Sequence, residues 1–309
     1  MLGSGEKNKM REKYLTQLKR ASEDARNMTS QDLQFNYKGI LYPTTFCSEA
    51  TFEAMDTYEA RQDDVLILTY PKCGTTWVLQ ILHEMFLQTH DRQPSTEQTL
   101  LEFGKPEKYE HLNQQPSPRI ITSHLMYENL PKTIIEKKTK ILMVLRNPKD
   151  AAVSFFHFYN NHPVLPTYES WDLFFKDFIT GNVAFGSYFD FTLDWEKRID
   201  DSNILVLSFE EMKVDLPAQL RKLSEFYGLT LTDEQIKMVQ EKTSFTHMKE
   251  KSSNTHGDLG HAFFRKGEIG DWKSLFTEEQ SREVDEKFEK HLAGTNLGKR
   301  INYAKYCTY

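Results

Sequence analysis

Four short runs along this chain are apolar almost without interruption. They are "VLILTY" at residues 65–70, "RIITS" at 119–123, "KILMVLR" at 140–146 and "ILVLSF" at 204–209. A strand with one wet face alternates apolar and polar residues, whereas an unbroken run suits a strand covered on both faces, as in a parallel sheet. Between the runs the spacing changes to three and four. "TTWVLQILHEMFLQ" puts Trp77, Val78, Ile81, Leu82, Met85 and Phe86 on one stripe and predicts a helix from Thr75. "SEATFEAMDTYEA" at 48–60 offers Ser48 as a cap and Phe52, Met55 and Tyr58 at helical spacing, and predicts a second. "NPKDAAVSFFHFY" opens a third, with Pro148 in its first turn. Helical spacing then covers most of the chain from 210 to about Phe288. Strands alternating with helices imply a parallel sheet with helices on both faces.

Such sheets bind ligands beyond the carboxyl ends of their strands, and every polar cluster of interest falls there. "TYPKCGTTW" at 69–77 is a strand, a tight turn at Gly74 and a helix start. Unpaired amides and a positive dipole end would face an anion, with Lys72 adding charge and Thr75 and Thr76 adding hydroxyl donors. It departs from the Walker pattern, whose lysine comes late and next to a hydroxyl. The bland reading is an ordinary strand-to-helix turn with a solvated lysine. "RNPKDAAVS" at 146–154 places Arg146 and Ser154 where they can hold a phosphate monoester, although an arginine paired with Asp150 would look the same. "FFRKGEIGDW" at 263–272 is a short basic loop with Arg265, Lys266 and Gly267. His124 follows the second run, and histidine is the default general base near neutral pH.

Composition narrows the class. With 39% hydrophobic and 27% charged residues over 309 positions, the chain reads as an ordinary globular protein able to bury a large core. A net charge of −6 argues against a general nucleic-acid binder. Cys47, Cys73 and Cys307 are too scattered for a disulfide framework or a zinc site, which suits reduced thiols in the cytoplasm. The apolar runs are far short of the roughly 20 residues of a membrane helix, and no signal-peptide stretch is visible. The mixed-charge N-terminus is expected to be a solvated, partly frayed leader or helix over residues 1–30, ahead of one domain at 31–309. An NTP-using kinase would want an acidic residue closing a strand beside the loop, to hold magnesium. The third run ends in Arg146 instead, which favours a metal-free anionic donor. Glu210 and Glu211 after the fourth run leave the kinase reading open.

Taken together and in this order, "TYPKCGTTW", "RNPKDAAVSFFHFY" and "RKGEIGDWK" resemble the signatures of the cytosolic sulfotransferase family, and within it the 6B subfamily. The resemblance runs from "YKGILYP" to the C-terminal helices. It implies a three-layer P-loop-like α/β fold with a central parallel sheet of about five strands. It also implies 3′-phosphoadenosine 5′-phosphosulfate (PAPS) as sulfonate donor, 3′-phosphoadenosine 5′-phosphate (PAP) as product, no metal and a small-molecule acceptor, with no nucleic acid or membrane partner. By the family pattern, Lys72, Cys73, Gly74, Thr75 and Thr76 wrap the phosphosulfate and Trp77 stacks on adenine. Arg146, Ser154, Arg265, Lys266 and Gly267 hold the 3′-phosphate, and Thr243, Phe245 and Met248 of "TSFTHM" close on the base. His124 and Lys72 are the implied catalytic pair.

The departures are specific. Many relatives carry a lysine two residues before the histidine, where this chain has Thr122. That difference motivates an alternative, a sulfotransferase-like nucleotide-binding protein with little turnover. Phe209 stands where relatives have a phosphate-binding tyrosine, and is left out of the site because it cannot donate. Cys73 replaces a commoner serine. Its neighbours Lys72 and a helix N-terminus would lower a thiol pKa, and alkylation there is expected to block donor binding. In the dimer motif K-x-x-x-T-V-x-x-x-E, Lys273 and Thr277 match while Glu278 and Arg282 do not, so a homodimer stays open. The acceptor is expected to be an aromatic or steroid-like hydroxyl compound, or an amine, in a phenylalanine-lined pocket near Phe156.

Overall fold

The computed structural model describes residues 4–89 and 95–308 of the chain. A two-stranded antiparallel hairpin, β1 (Gln34–Tyr37) and β2 (Ile40–Pro43), precedes the main sheet. That sheet is built from β3 (Val65–Thr69), β4 (Ser95–Leu100), β5 (Arg119–Ser123), β6 (Lys140–Leu145) and β7 (Ile204–Ser208), in the order β4-β5-β3-β6-β7. All its pairings are parallel. Val65 lies opposite Ile120 on one side and Lys140 on the other.

The unbroken apolar runs follow from this arrangement. Successive residues of a strand point to opposite faces, and each face of the sheet has its own core. Leu66, Leu68, Ile121, Ile141, Met143 and Val206 enter one. Val65, Ile67, Ile120, Leu142, Val144 and Leu207 enter the other. The helix Thr75–Thr89 covers the second face with Val78, Ile81, Leu82, Met85 and Phe86, the expected stripe less Trp77, which is only partly buried. The helix Pro148–Asn161 covers the first with Ala151, Ala152, Phe155 and Tyr159.

The sheet has the five strands expected, and three details are refined. The fifth strand, β4, comes from "STEQTL", which has no apolar run. It lies at one edge of the sheet, with β5 as its one neighbour and a register shift between Thr96 and Leu100. The helix expected at 48–60 is capped by Ser48, whose hydroxyl accepts from Thr51 N at 3.2 Å, but it stops at Glu53 and tightens into a 3₁₀ turn, Ala54–Thr57. Tyr58 then turns extended, and its hydroxyl donates to Asp64 at 2.9 Å. Finally, the N-terminal segment takes the helical alternative, Ser4–Arg26, and is not solvated all round: Leu18, Ala21, Ser22 and Ala25 are buried at helical spacing.

β3 is the centre of the sheet and the place where the chain changes direction: β5 lies on one side of it and β6 on the other. The crevice at its carboxyl end is the position where open α/β sheets take their ligands. The three segments that leave there carry Lys72, His124 and Arg146.

Candidate active site

The loop after β3 is shaped by backbone constraint. Lys72 has φ of +68° and Gly74 φ of +101°. A left-handed lysine is uncommon, and such outliers gather at functional sites. A Cβ on Gly74 would lie 3.0 Å from Cδ2 of Phe209, so the loop passes too close to that ring for a side chain. Gly74, Thr75 and Thr76 line a cavity of roughly 1180 Å³ at the start of the helix, where the first amides lack intrahelical acceptors.

Lys72, His124, Arg146, Ser154, Trp77, Phe245, Met248, Arg265, Lys266 and Gly267 line the same cavity. Burial, then Arg146 and Arg265, push the Lys72 ammonium down to about 7. Its Nζ rests 3.8 Å from the centre of the Phe158 ring. Arg146 is 6% exposed, donating to Lys72 O at 3.0 Å and Glu268 O at 3.1 Å, while its Nε has no partner. Trp77 donates from its indole to Thr243 O at 2.9 Å and meets the Phe209 ring edge-on at 5.4 Å. Thr243 thus reaches the site through its carbonyl, because its hydroxyl bonds Val239 O within its own helix. Gly267 is pressed against Phe245, where an added Cβ would sit 2.4 Å from the ring. Arg265 and Lys266 both pair with Asp271. Asp271 is partly buried, but those two partners hold its carboxyl below the usual range.

His124 is anchored from two sides. Its Nδ1 lies 2.7 Å from Thr69 O, and a carbonyl can only accept, so Nδ1 carries the proton and Nε2 keeps its lone pair. Burial, with a smaller push from Lys72, lowers the imidazole to about 4 and leaves it neutral at pH 7. Its backbone N–H donates to Glu102 at 2.9 Å, and Glu102 also accepts from Ser123 Oγ at 3.0 Å. Burial pushes that carboxyl up to about 7. Glu102 was not singled out in the sequence. Its only signal there is a lone acid inside the otherwise apolar "TLLEF".

The cavity wall beyond His124 is aromatic. Phe185 meets His124 edge-on at 5.1 Å, and Phe103 lies 6.2 Å further on. Phe46 stacks on Phe103 at 4.8 Å, His162 follows, and Phe158 closes the circuit at Lys72. Phe156 is not part of this wall; it packs on Trp171 and Phe174.

Cys73 is the clearest correction. It is fully buried, does not line the cavity, and donates its N–H back to Tyr70 O at 3.2 Å. Burial pushes the thiol up to about 12, outweighing the lowering by Arg146 and Lys72. Its side chain belongs to the core and not to the cavity wall. Phe209, left out for want of a hydroxyl, does line the cavity, beneath the Arg146 guanidinium at 4.4 Å. Glu210 is fully buried and accepts from Asn147 N at 2.9 Å and Nδ2 at 3.1 Å, away from the cavity wall.

A parallel sheet, a glycine turn into a helix, a buried guanidinium with an unpartnered Nε and a neutral histidine suit an enzyme that handles an anionic donor. The sulfotransferase domain family matches residues 62–296. Sulfotransferase 6B1 of Mus musculus is 47% identical over 296 residues, covering 96% of this chain and 98% of its own length. The Homo sapiens protein of the same name is 45% identical over the same shares. The crystal structure of mouse sulfotransferase SULT7A1 complexed with PAP is 35% identical, covers 88% of this chain and 99% of its own, and superposes with a TM-score of 0.82. The chain belongs to the sulfotransferase family, PAPS-dependent enzymes that transfer a sulfonate group.

Proposed function

We propose that the chain binds PAPS at the β3 loop and transfers its sulfonate to a small hydroxyl acceptor, with His124 as general base. One observation carries this reading. The Nδ1 contact to Thr69 O leaves Nε2 of a neutral histidine as the basic nitrogen, in a cavity that Lys72 and Arg146 also line.

The residues present suit the donor. The unpartnered Nε of Arg146 is a buried donor in want of an acceptor, and leaving it so costs about 1–3 kcal/mol. Gly74 and Gly267 let the backbone lie directly against the Phe209 and Phe245 rings of the cavity wall, where any Cβ would clash. Arg146, Ser154, Arg265 and Lys266 take the 3′-phosphate, and Trp77 with Phe209, Phe245 and Met248 takes the purine. Gly74, Thr75 and Thr76 take the phosphosulfate with Lys72; Cys73 supports that loop from the core side. Bound there, PAPS supplies the sulfonate.

His124 Nε2 accepts the proton of the acceptor hydroxyl, a contribution of about 100- to 10,000-fold in general base catalysis. Lys72 leaves the Phe158 ring and stabilises negative charge on the departing oxygen, in the manner of an oxyanion donor worth about 3–4 kcal/mol. The ring circuit of Phe185, Phe103, Phe46 and Phe158 favours a flat acceptor, an aromatic or steroid-like hydroxyl compound. Glu210 bonds Asn147 through Oε1 and lies away from the cavity wall, which speaks against its use by a nucleotide kinase. We place the protein in the cytosol by its family; among the described residues no helix is long and apolar enough to cross a membrane. Thr277, from the degraded dimer motif, caps the helix Glu278–His291 in a capping box with Gln280, so a homodimer through that segment would have to work around a committed hydroxyl.

The test is transfer of radiolabelled sulfonate from PAPS to a panel of phenols, hydroxysteroids and amines, with His124→Ala as control. Product from the wild type and near loss in the variant supports the reading. PAP binding with no product from any acceptor replaces it with the low-turnover binding protein that Thr122 suggests.

A further inference from the structure

The N-terminal helix carries more of the cavity than its charged sequence suggests. Its buried stripe is Leu18, Ala21, Ser22 and Ala25, and Lys19 lies on its wet face, 3.9 Å from Glu23. Tyr14, Leu18 and Ala21 line the cavity, with Gln17, Arg20 and Asp24 at its rim. The helix lies on a cap made of three short turns, Ser252–His256, Gly257–Leu259 and Gly260–Phe263. Tyr14 meets His256 edge-on at 6.0 Å, and a Cβ at Gly257 would be 3.7 Å from Cδ2 of Leu15.

From there the contacts lead inward. His256 packs on Phe263 at 4.4 Å, and Phe263 touches Phe158 at 5.4 Å and His162 at 5.8 Å, two members of the ring circuit beyond His124. The same Phe263 ring lies 5.8 Å from Lys72 Nζ. The cap is also tied to the donor residues by the chain itself. Phe245–Glu250 precedes it, and Arg265, Lys266 and Gly267 follow directly.

We propose that this helix is a specificity element of the acceptor site: Leu18 and Ala21 wall its far end, and Tyr14 positions the cap that closes it. Acceptors of several fused rings reach this wall, whereas a single-ring phenol is held within the aromatic circuit. Seating the cap costs no new ordering when the acceptor arrives, because the apolar stripe already holds the helix down. The helix therefore governs discrimination between long and short hydroxyl compounds, and leaves the donor end to other residues.

The activity arm of the test rests on the sulfotransfer reading; the exchange arm does not. In the full-length chain, Leu18→Ala, Leu18→Asp and Tyr14→Ala are compared with Lys19→Ala on the wet face. Amide hydrogen exchange over residues 252–263 is expected to rise about tenfold in the first three and to stay at the wild-type rate in the last. The ratio of kcat/KM for a four-ring hydroxysteroid to that for phenol is expected to fall by about tenfold, with PAP affinity held within about twofold. Leu18→Ala removes less of the stripe and reads the effect if Leu18→Asp unfolds. Wild-type exchange rates in the cap of Leu18→Ala and Tyr14→Ala overturn the proposal. So does an unchanged selectivity ratio in active variants. A wild type that transfers to no acceptor overturns the sulfotransfer reading instead, and the exchange result still decides whether the helix seats the cap.

Discussion

Two arginines mark the two ends of the central sheet, and both are almost fully buried. Arg119 begins β5 at the amino end. Its Nε bonds Asp64 Oδ1 at 2.7 Å, Nη1 bonds Leu112 O at 2.8 Å, and Nη2 bonds both Glu59 O at 2.7 Å and Asp64 Oδ2. Asp64 also receives Tyr58 and Arg61. Arg146 follows β6 at the carboxyl end. It has two carbonyls, an aromatic ring beneath it and an unpartnered Nε. A buried charge with its counter-ion and hydrogen bonds complete is a structural fitting; one without them retains an appetite for an anion. The sheet is thus finished at one end and deliberately incomplete at the other.

That contrast sets the predictions. The largest effect is on turnover: His124→Ala should lower kcat/KM by roughly 100- to 10,000-fold, with thermal stability and PAP affinity close to wild type by scanning calorimetry and titration calorimetry. A variant that unfolds would place His124 among the structural residues. At the other end, Asp64→Ala strands the Arg119 charge and should cost about 3–5 kcal/mol of unfolding free energy in urea, while the folded fraction keeps its KM for PAPS. Arg146→Ala reverses the pattern. It should weaken PAP binding by about 1.5–3 kcal/mol and cost less stability than Asp64→Ala, since Arg146 bonds only two carbonyls and not a carboxylate.

A pH series separates the ends further. Lys72 is held down to about 7, below its unfolded value of 10.5. Between those values the unfolded chain binds the extra proton, so this group makes stability rise with pH across that window. Anion binding prefers the protonated lysine, so PAP affinity should fall as pH rises above about 7. Lys72→Met should flatten that slope, and a slope that survives the substitution belongs to another group. The smallest effect is a gain: Phe209→Tyr supplies a hydroxyl beneath Arg146 and should tighten PAP binding by about 0.5–1.5 kcal/mol.

Much of this was legible in the sequence because two signals are local. Strands buried on both faces must be apolar throughout, which exposes β3, β5, β6 and β7; β4, whose "STEQTL" has no apolar run, stayed hidden. The donor end was legible because a strand, a glycine turn and a helix form one contiguous stretch. Glu102, the aromatic circuit and the seating of the N-terminal helix were not, since each depends on residues far apart in the chain meeting in space. Cys73 shows the limit of reading neighbours alone. Lys72 and the helix start do pull its pKa down, yet complete burial pushes harder, and burial is a property of the fold.

Trp77 offers a convenience of its own. Of the four tryptophans, Trp195 and Trp272 are wholly enclosed and Trp171 nearly so, while Trp77 is half-buried on the cavity wall with its indole N–H tied to Thr243. In the donor pose proposed above, one emitter faces the purine and three sit as constant background. That pose would make Trp77 emission an optical gauge of donor occupancy, readable in real time without a label or an acceptor.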